Sequence, residues 1–106
     1  MATSKRTSVL VVDIDYDQHE ALRGDMPLEL TPTEFDILCI LAERAPAVLS
    51  PREIARRVFD YDVNEPEARE LVRWHIHHLR RKLEIDPDQP RMLKNVCGIG
   101  YKLDLA

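Results

Sequence analysis

The chain has 106 residues, 44% hydrophobic and 32% charged, with a formal net charge of −4. That length suits a single core, and the composition excludes the low hydrophobicity of a disordered chain. The longest apolar run, Val9 to Val12, cannot span a bilayer, and no apolar stretch of signal-peptide length follows Lys5 and Arg6. The chain therefore reads as cytoplasmic, with no membrane partner.

Residues 1–8 are expected to be a disordered tail and residues 9–106 one domain. Val9 to Ile14 is rich in β-branched residues and predicts a strand. A turn at Asp15 to Gln18, a short strand at His19 to Arg23, a turn at Gly24-Asp25 and a third strand at Met26 to Leu30 complete a small antiparallel meander. Pro27 suits its edge.

Two helix starts are then written alike. Thr31-Pro-Thr-Glu34 and Ser50-Pro-Arg-Glu53 both fit a capping box with proline in the first turn. The first helix is expected over Pro32 to Arg44, burying Phe35, Leu38, Leu41 and Ala42, and Pro46 ends it. Ala47 to Leu49 is a short extended link. The second helix, Pro51 to about Phe59, buries Ile54, Ala55 and Val58. The third runs from about Pro66 to Leu83 or Glu84. Its apolar stripe is Leu71, Val72, His75, Ile76, Leu79 and Leu83, and its polar side carries Arg73, His77, Arg80, Arg81 and Glu84. Trp74 lies on that polar side and is expected to pack on the sheet or a neighbouring helix. After Asp86-Pro-Asp-Gln-Pro90, the runs Arg91 to Val96 and Tyr101 to Leu105 predict a hairpin around Gly98-Ile-Gly100.

Charge is distributed unevenly along this order. Residues 1–36 hold three basic residues against eight acids, whereas Arg69 to Lys82 hold five basic residues against Glu70 alone. Binding to a polyanion depends on the local field, so a negative total does not forbid it. Cys39 lies in an apolar helical pattern and Cys97 beside a turn, so no disulfide is expected. The sequence has no nucleophile elbow, no glycine loop that would cradle phosphate and no HExxH pair. It is not expected to be an enzyme, or to bind a cofactor or metal. His75 and His78 are neighbours on the helix but lack a third ligand close in sequence.

The order of sheet, helix, link, helix, helix and hairpin is that of an α+β winged helix-turn-helix. Leu30-Thr-Pro-Thr-Glu-Phe35, Val72-Arg-Trp-His-Ile-His-His-Leu-Arg-Arg-Lys-Leu83 and Gly98-Ile-Gly-Tyr101 occur in order. Together they resemble the OmpR/PhoB family of response-regulator output domains, over roughly residues 9–105. The resemblance implies an N-terminal antiparallel sheet, a three-helix core and a C-terminal hairpin wing. It also implies sequence-specific binding of double-stranded promoter DNA, usually as a tandem pair. RNA polymerase would meet the loop Tyr61, Asp62, Val63 and Asn64. Family members usually carry a receiver domain ahead of this one. With the sheet expected to start at Val9, none is expected within these 106 residues, which are either an excised domain or one controlled by something else.

On this reading the third helix, residues 67–84, enters the major groove and reads bases through Arg73, His77, His78, Arg80 and Arg81. Arg80 matches a groove-reading arginine of the family. Glu70 and Cys97 stand where some relatives carry a DNA-contacting arginine, and Arg69 with Arg73 is placed to compensate. Ser50 and Arg52 would hold a phosphate at a helix N-terminus. Lys94, Asn95, Tyr101 and Lys102 would put the wing, residues 94–102, on the backbone or minor groove. The alternative is a winged-helix protein-interaction module that has lost DNA binding, suggested by the negative total, Glu70 and Cys97.

Overall fold

The apolar run at Val9 to Ile14 forms two strands rather than one. In the computed structural model, which describes residues 6–9, 12–60 and 62–104, β1 spans Arg6–Val9 and β2 spans Val12–Asp15. Val9 pairs with Val12, so the chain reverses inside the run, and residues 10 and 11 lie outside the described ones. β-branched content marks extended backbone, but nothing polar or glycine-like marks this reversal. The sheet therefore begins at Arg6, earlier than the expected boundary at Val9; residues 1–5 lie outside the described residues.

β3 (Glu20–Arg23) and the two-residue β4 (Met26–Pro27) extend the sheet in the order β1-β2-β3-β4, all antiparallel. Pro27 occupies the edge, where its missing N–H costs no ladder bond. The expected third strand is shorter than predicted, although the Leu28 N–H still donates to the Ala21 carbonyl at 2.8 Å. Val12 and Ile14 point into the core and Asp13 away from it, the alternation of a half-buried strand.

The helices follow their local signals closely. α1 spans Pro32–Arg44 and α2 spans Pro51–Phe59, each with a complete capping box from Thr31 and Glu34 or from Ser50 and Glu53. These signals are nearly independent of the rest of the fold, because cap donor and acceptor lie three residues apart. α3 spans Glu65–Leu83, with Asn64 as its N-cap accepting from the Glu67 N–H at 2.9 Å. Its buried stripe is Ala68, Val72, Ile76, Leu79 and Leu83. Leu71 and His75, expected there, are only half-buried, whereas Ala68 belongs to the stripe. These residues join Ile37, Leu38 and Leu41 of α1 and Ile54 of α2 in one core.

The hairpin β5 (Leu93–Val96) and β6 (Gly100–Leu103) is docked on the link before α2. Leu49 and Tyr101 exchange both backbone hydrogen bonds, at 2.8 and 2.9 Å. That close approach fixes the residue at 100, since a Cβ there would collide with the Leu49 carbonyl. Gly98 has φ +77°, the left-handed turn that closes the hairpin.

Glu84 departs most from expectation. Its carboxylate is not on the polar side of α3 but buried, at 4% exposure. It accepts from the backbone N–H groups of Arg91 at 2.8 Å, Met92 at 3.0 Å and Leu93 at 2.7 Å. One side chain thus ends the helix and starts the wing.

A second buried carboxylate ties α1 to α3. Glu34 closes the first capping box and also accepts from Lys82 Nζ at 2.6 Å. Burial alone would raise the pKa of Glu34, but the Lys82 hydrogen bond, the Thr31 N–H and the Lys82 charge outweigh it and hold the carboxyl below its ordinary 4.5. His75 is held below its ordinary 6.5 by burial first, with the nearby Glu34 charge opposing and His78 adding to the effect. In both cases the unfolded chain takes up a proton before the folded one, so each contribution to stability is complete above the ordinary value and lost as pH falls through the folded value. Acidification is expected to lower stability in two stages, first below about pH 6.5 through His75 and then below about pH 4.5 through Glu34. Lys82→Met should cost roughly 1–3 kcal/mol, between the limits for exposed and buried pairs, and should shrink the lower stage, to which Asp104 also contributes, while leaving the upper one. Urea unfolding across a pH series checks both. An unchanged lower stage in the variant would show that the Lys82 contact does not set it.

Candidate nucleic-acid interface

α3 and the hairpin border an open cleft of about 780 Å³. The start of α2 closes one end through Ser50, Pro51 and Arg52. The wall from α3 carries Glu65, Arg69, Arg73, Ile76, His77 and Arg80, a set spaced for one helix face. The opposite wall is Asn95, Val96, Gly98, Ile99, Gly100 and Tyr101. Four arginines thus converge from two helices with one carboxylate, Glu65, which pairs with Arg69 at 3.2 Å. In a chain of net charge −4 this is a local concentration of positive charge.

The twelve residues singled out from the sequence separate into two groups. Ser50, Arg52, Arg69, Arg73, His77, Arg80, Asn95 and Tyr101 line the cleft; His78, Arg81, Lys94 and Lys102 do not. Arg81 is exposed on the adjoining outward face of α3. His78 is half-buried, its ring 4.1 Å from that of Trp74. Lys94 and Lys102 both turn to Asp104, at 2.7 and 3.5 Å. The Lys94 hydrogen bond, followed by the charge of Lys102, holds Asp104 below its ordinary value despite some burial. The two wing lysines are therefore half-neutralised from within the chain.

Three side chains in the cleft are more constrained than their sequence roles imply. Arg80 is half-buried; its Nε donates to the Leu93 carbonyl at 3.0 Å, and its guanidinium lies 5.9 Å from the Tyr101 ring centroid. Burial lowers the pKa of Arg80, with the Tyr101 and Glu84 charges opposing. Arg80 thus fastens helix to wing while presenting the rest of its guanidinium to the cleft. Tyr101 is itself buried at 8% exposure, so its ring is the floor of the cleft, not a wing-tip contact. Ser50 spends its hydroxyl on the Glu53 N–H at 3.2 Å, and the Glu53 carboxylate returns to the Ser50 N–H. Ser50 only accepts in that capping box, so its O–H remains a donor beside Arg52 at this helix start.

The loop before α3 is also largely committed to the fold. Asp62 pairs with Arg56 at 3.1 Å, Val63 packs against the core and Asn64 caps α3. Tyr61 lies outside the described residues. Glu70 is exposed on the outward ridge of α3 and does not line the cleft. Cys97 is exposed at the wing turn and Cys39 is buried. Trp74 packs on neither the sheet nor another helix; it is 60% exposed, a position periodicity alone did not assign to the site.

The profile of the family described as "Transcriptional regulatory protein, C terminal" matches residues 25–103. The chain belongs to this family. Among its relatives is the DNA-binding response regulator MtrA of Mycobacterium leprae, 37% identical over 95 residues, which are 90% of this chain and 41% of MtrA. This chain thus spans less than half of that relative. The DNA binding domain of CpxR from E. coli superposes with a TM-score of 0.83 at 29% identity, covering 97% of this chain and 100% of that one. The Klebsiella pneumoniae RstA DNA-binding domain, crystallised with the RstA box, gives 0.87 at 22% identity over 96% of this chain and 99% of that one, a likeness in fold. The family member is a winged-helix domain: three helices, a small N-terminal sheet and a hairpin wing. Among the described residues, no helix is long and apolar enough to cross a membrane, and no three His, Cys, Asp or Glu side chains gather as a metal site.

Proposed function

We propose that this domain binds double-stranded promoter DNA sequence-specifically, as the output domain of a two-component transcriptional regulator in the bacterial cytoplasm. One observation carries the reading: Arg52, Arg69, Arg73 and Arg80 converge on the cleft between α3 and the wing, against a single carboxylate already paired with one of them. A helix with a buried apolar stripe and an exposed row of guanidinium groups suits the major groove, with the adjacent hairpin over the backbone or minor groove. The descriptions of MtrA and of the CpxR domain as DNA-binding support it.

The protein's acidic N-terminal third and basic cleft would favour head-to-tail placement of two copies on tandem half-sites. Asp62, exposed at the start of the α2–α3 loop, together with Tyr61, would be the approach for RNA polymerase, whereas Val63 and Asn64 serve mainly to hold that loop.

Selection of bound duplexes from random DNA, followed by mobility shifts across a salt series, tests the proposal. Enrichment of a defined half-site is expected, with affinity falling steeply as salt rises. Failure to retain any duplex at low salt would refute DNA binding.

A further inference from the structure

We infer that Trp74 is a specificity-determining residue, reading the C5-methyl group of a thymine in the major groove; the inference rests on the DNA-binding reading above. Trp74 is two residues from both Val72 and Ile76, which are buried. At 100° per residue this places it across the helix axis from the core. It is 60% exposed on an outward ridge formed by Glu70, Trp74, His77 and Arg81, all exposed. No other large apolar side chain of α3 is exposed to this degree.

The ring is nevertheless held in place. It meets His75 edge-on at 4.9 Å and His78 at 4.1 Å, while His75 lies 5.5 Å from Phe59 of α2. A row of rings therefore runs from α2 to the surface of α3 and restricts the indole, which reduces the rotamer freedom to be lost on contact. Its neighbours on the ridge are hydrogen-bonding groups, which makes it the apolar point of that surface. Among the edges that base pairs present in the major groove, the thymine methyl is the apolar feature. Base faces in a duplex are stacked and closed to the indole. The indole N–H is a donor only and adds compatibility with an acceptor such as a purine N7 or the thymine O4.

The whole 106-residue chain, Trp74→Ala and Trp74→Phe are titrated against a selected duplex in which each thymine in turn is replaced by deoxyuridine, which lacks only the methyl. One replacement should weaken the parent roughly 4-fold, the factor for burying one methyl group, and leave Trp74→Ala unaffected. Trp74→Ala should bind the unmodified duplex about 10-fold more weakly, with Phe intermediate. Because the sequence has one tryptophan, its fluorescence and iodide quenching report this site directly, and the duplex should shield it. Equal loss for parent and Trp74→Ala at every deoxyuridine, or an indole left open to iodide in the complex, would overturn the inference. Should Trp74→Ala not fold, Trp74→Phe and the quenching of the parent decide. Absence of duplex binding by the parent would instead overturn the DNA-binding reading itself.

Discussion

Glu84→Ala is expected to destabilise the domain by about 3–5 kcal/mol, since it leaves buried backbone donors without an acceptor. The carboxylate takes bonds from three consecutive N–H groups, two of them on the buried residues Met92 and Leu93. Each unsatisfied donor costs roughly 1–3 kcal/mol, more than the bond itself contributes in net terms. The carboxylate joins the end of α3 to the start of β5, so the substitution should loosen the wing as well. Glu84→Gln keeps one acceptor oxygen but turns an N–H₂ group toward an N–H, and should recover only part of the loss. Thermal unfolding should show a drop of roughly 15 °C or more for alanine, given about 4–8 °C per kcal/mol in a domain of this size. A drop of only a few degrees would mean that water replaces the carboxylate and that the cap is dispensable.

Arg73→Glu is expected to weaken binding to the selected duplex by roughly 100-fold or more at low salt, with stability nearly unchanged. Loss of one arginine contact costs about 1–3 kcal/mol, and the reversed charge adds repulsion from the phosphates. Arg73 suits this test because it is exposed on the cleft wall. Arg80 suits it less well, because its Nε holds the Leu93 carbonyl and a change there would also release the wing. Arg73→Ala should lower the salt slope by about 1 if that residue meets a phosphate. Its effect should differ between base sequences if it meets a base. Mobility shifts with parent and variants on matched and mismatched duplexes decide between these outcomes. Unchanged affinity for Arg73→Glu would place the interface elsewhere on the molecule.

Both predictions depend on contacts that differ in how visible they were in the sequence. Arg73 was legible because a run of arginines opposite an apolar stripe is a pattern within one helix. Glu84 was not, since its partners lie seven to nine residues away across a proline-rich turn, and nothing about a glutamate at a helix end says which way it points. Arg80 was picked out as a groove residue without any sign of its bond to β5. Nothing local marks Asp104 as the shared partner of the wing lysines, because that contact depends on the register of Lys94 opposite Lys102. The exposure of Trp74 is legible in the helical phase set by Val72 and Ile76.

The sequence by itself determined the class of fold, the limits of α1 and α2, the helix that carries the arginine row and the family. Each rests on interactions within a few residues: capping boxes, prolines in first turns, apolar spacing and a glycine turn. Tertiary structure decided where the strand at the N-terminus turns back, which carboxylates are buried, and which basic residues open into the cleft. Those outcomes depend on partners distant along the chain, such as Lys82 with Glu34 and Leu49 with Tyr101, and burial changes their energetics too strongly for local pattern to foretell.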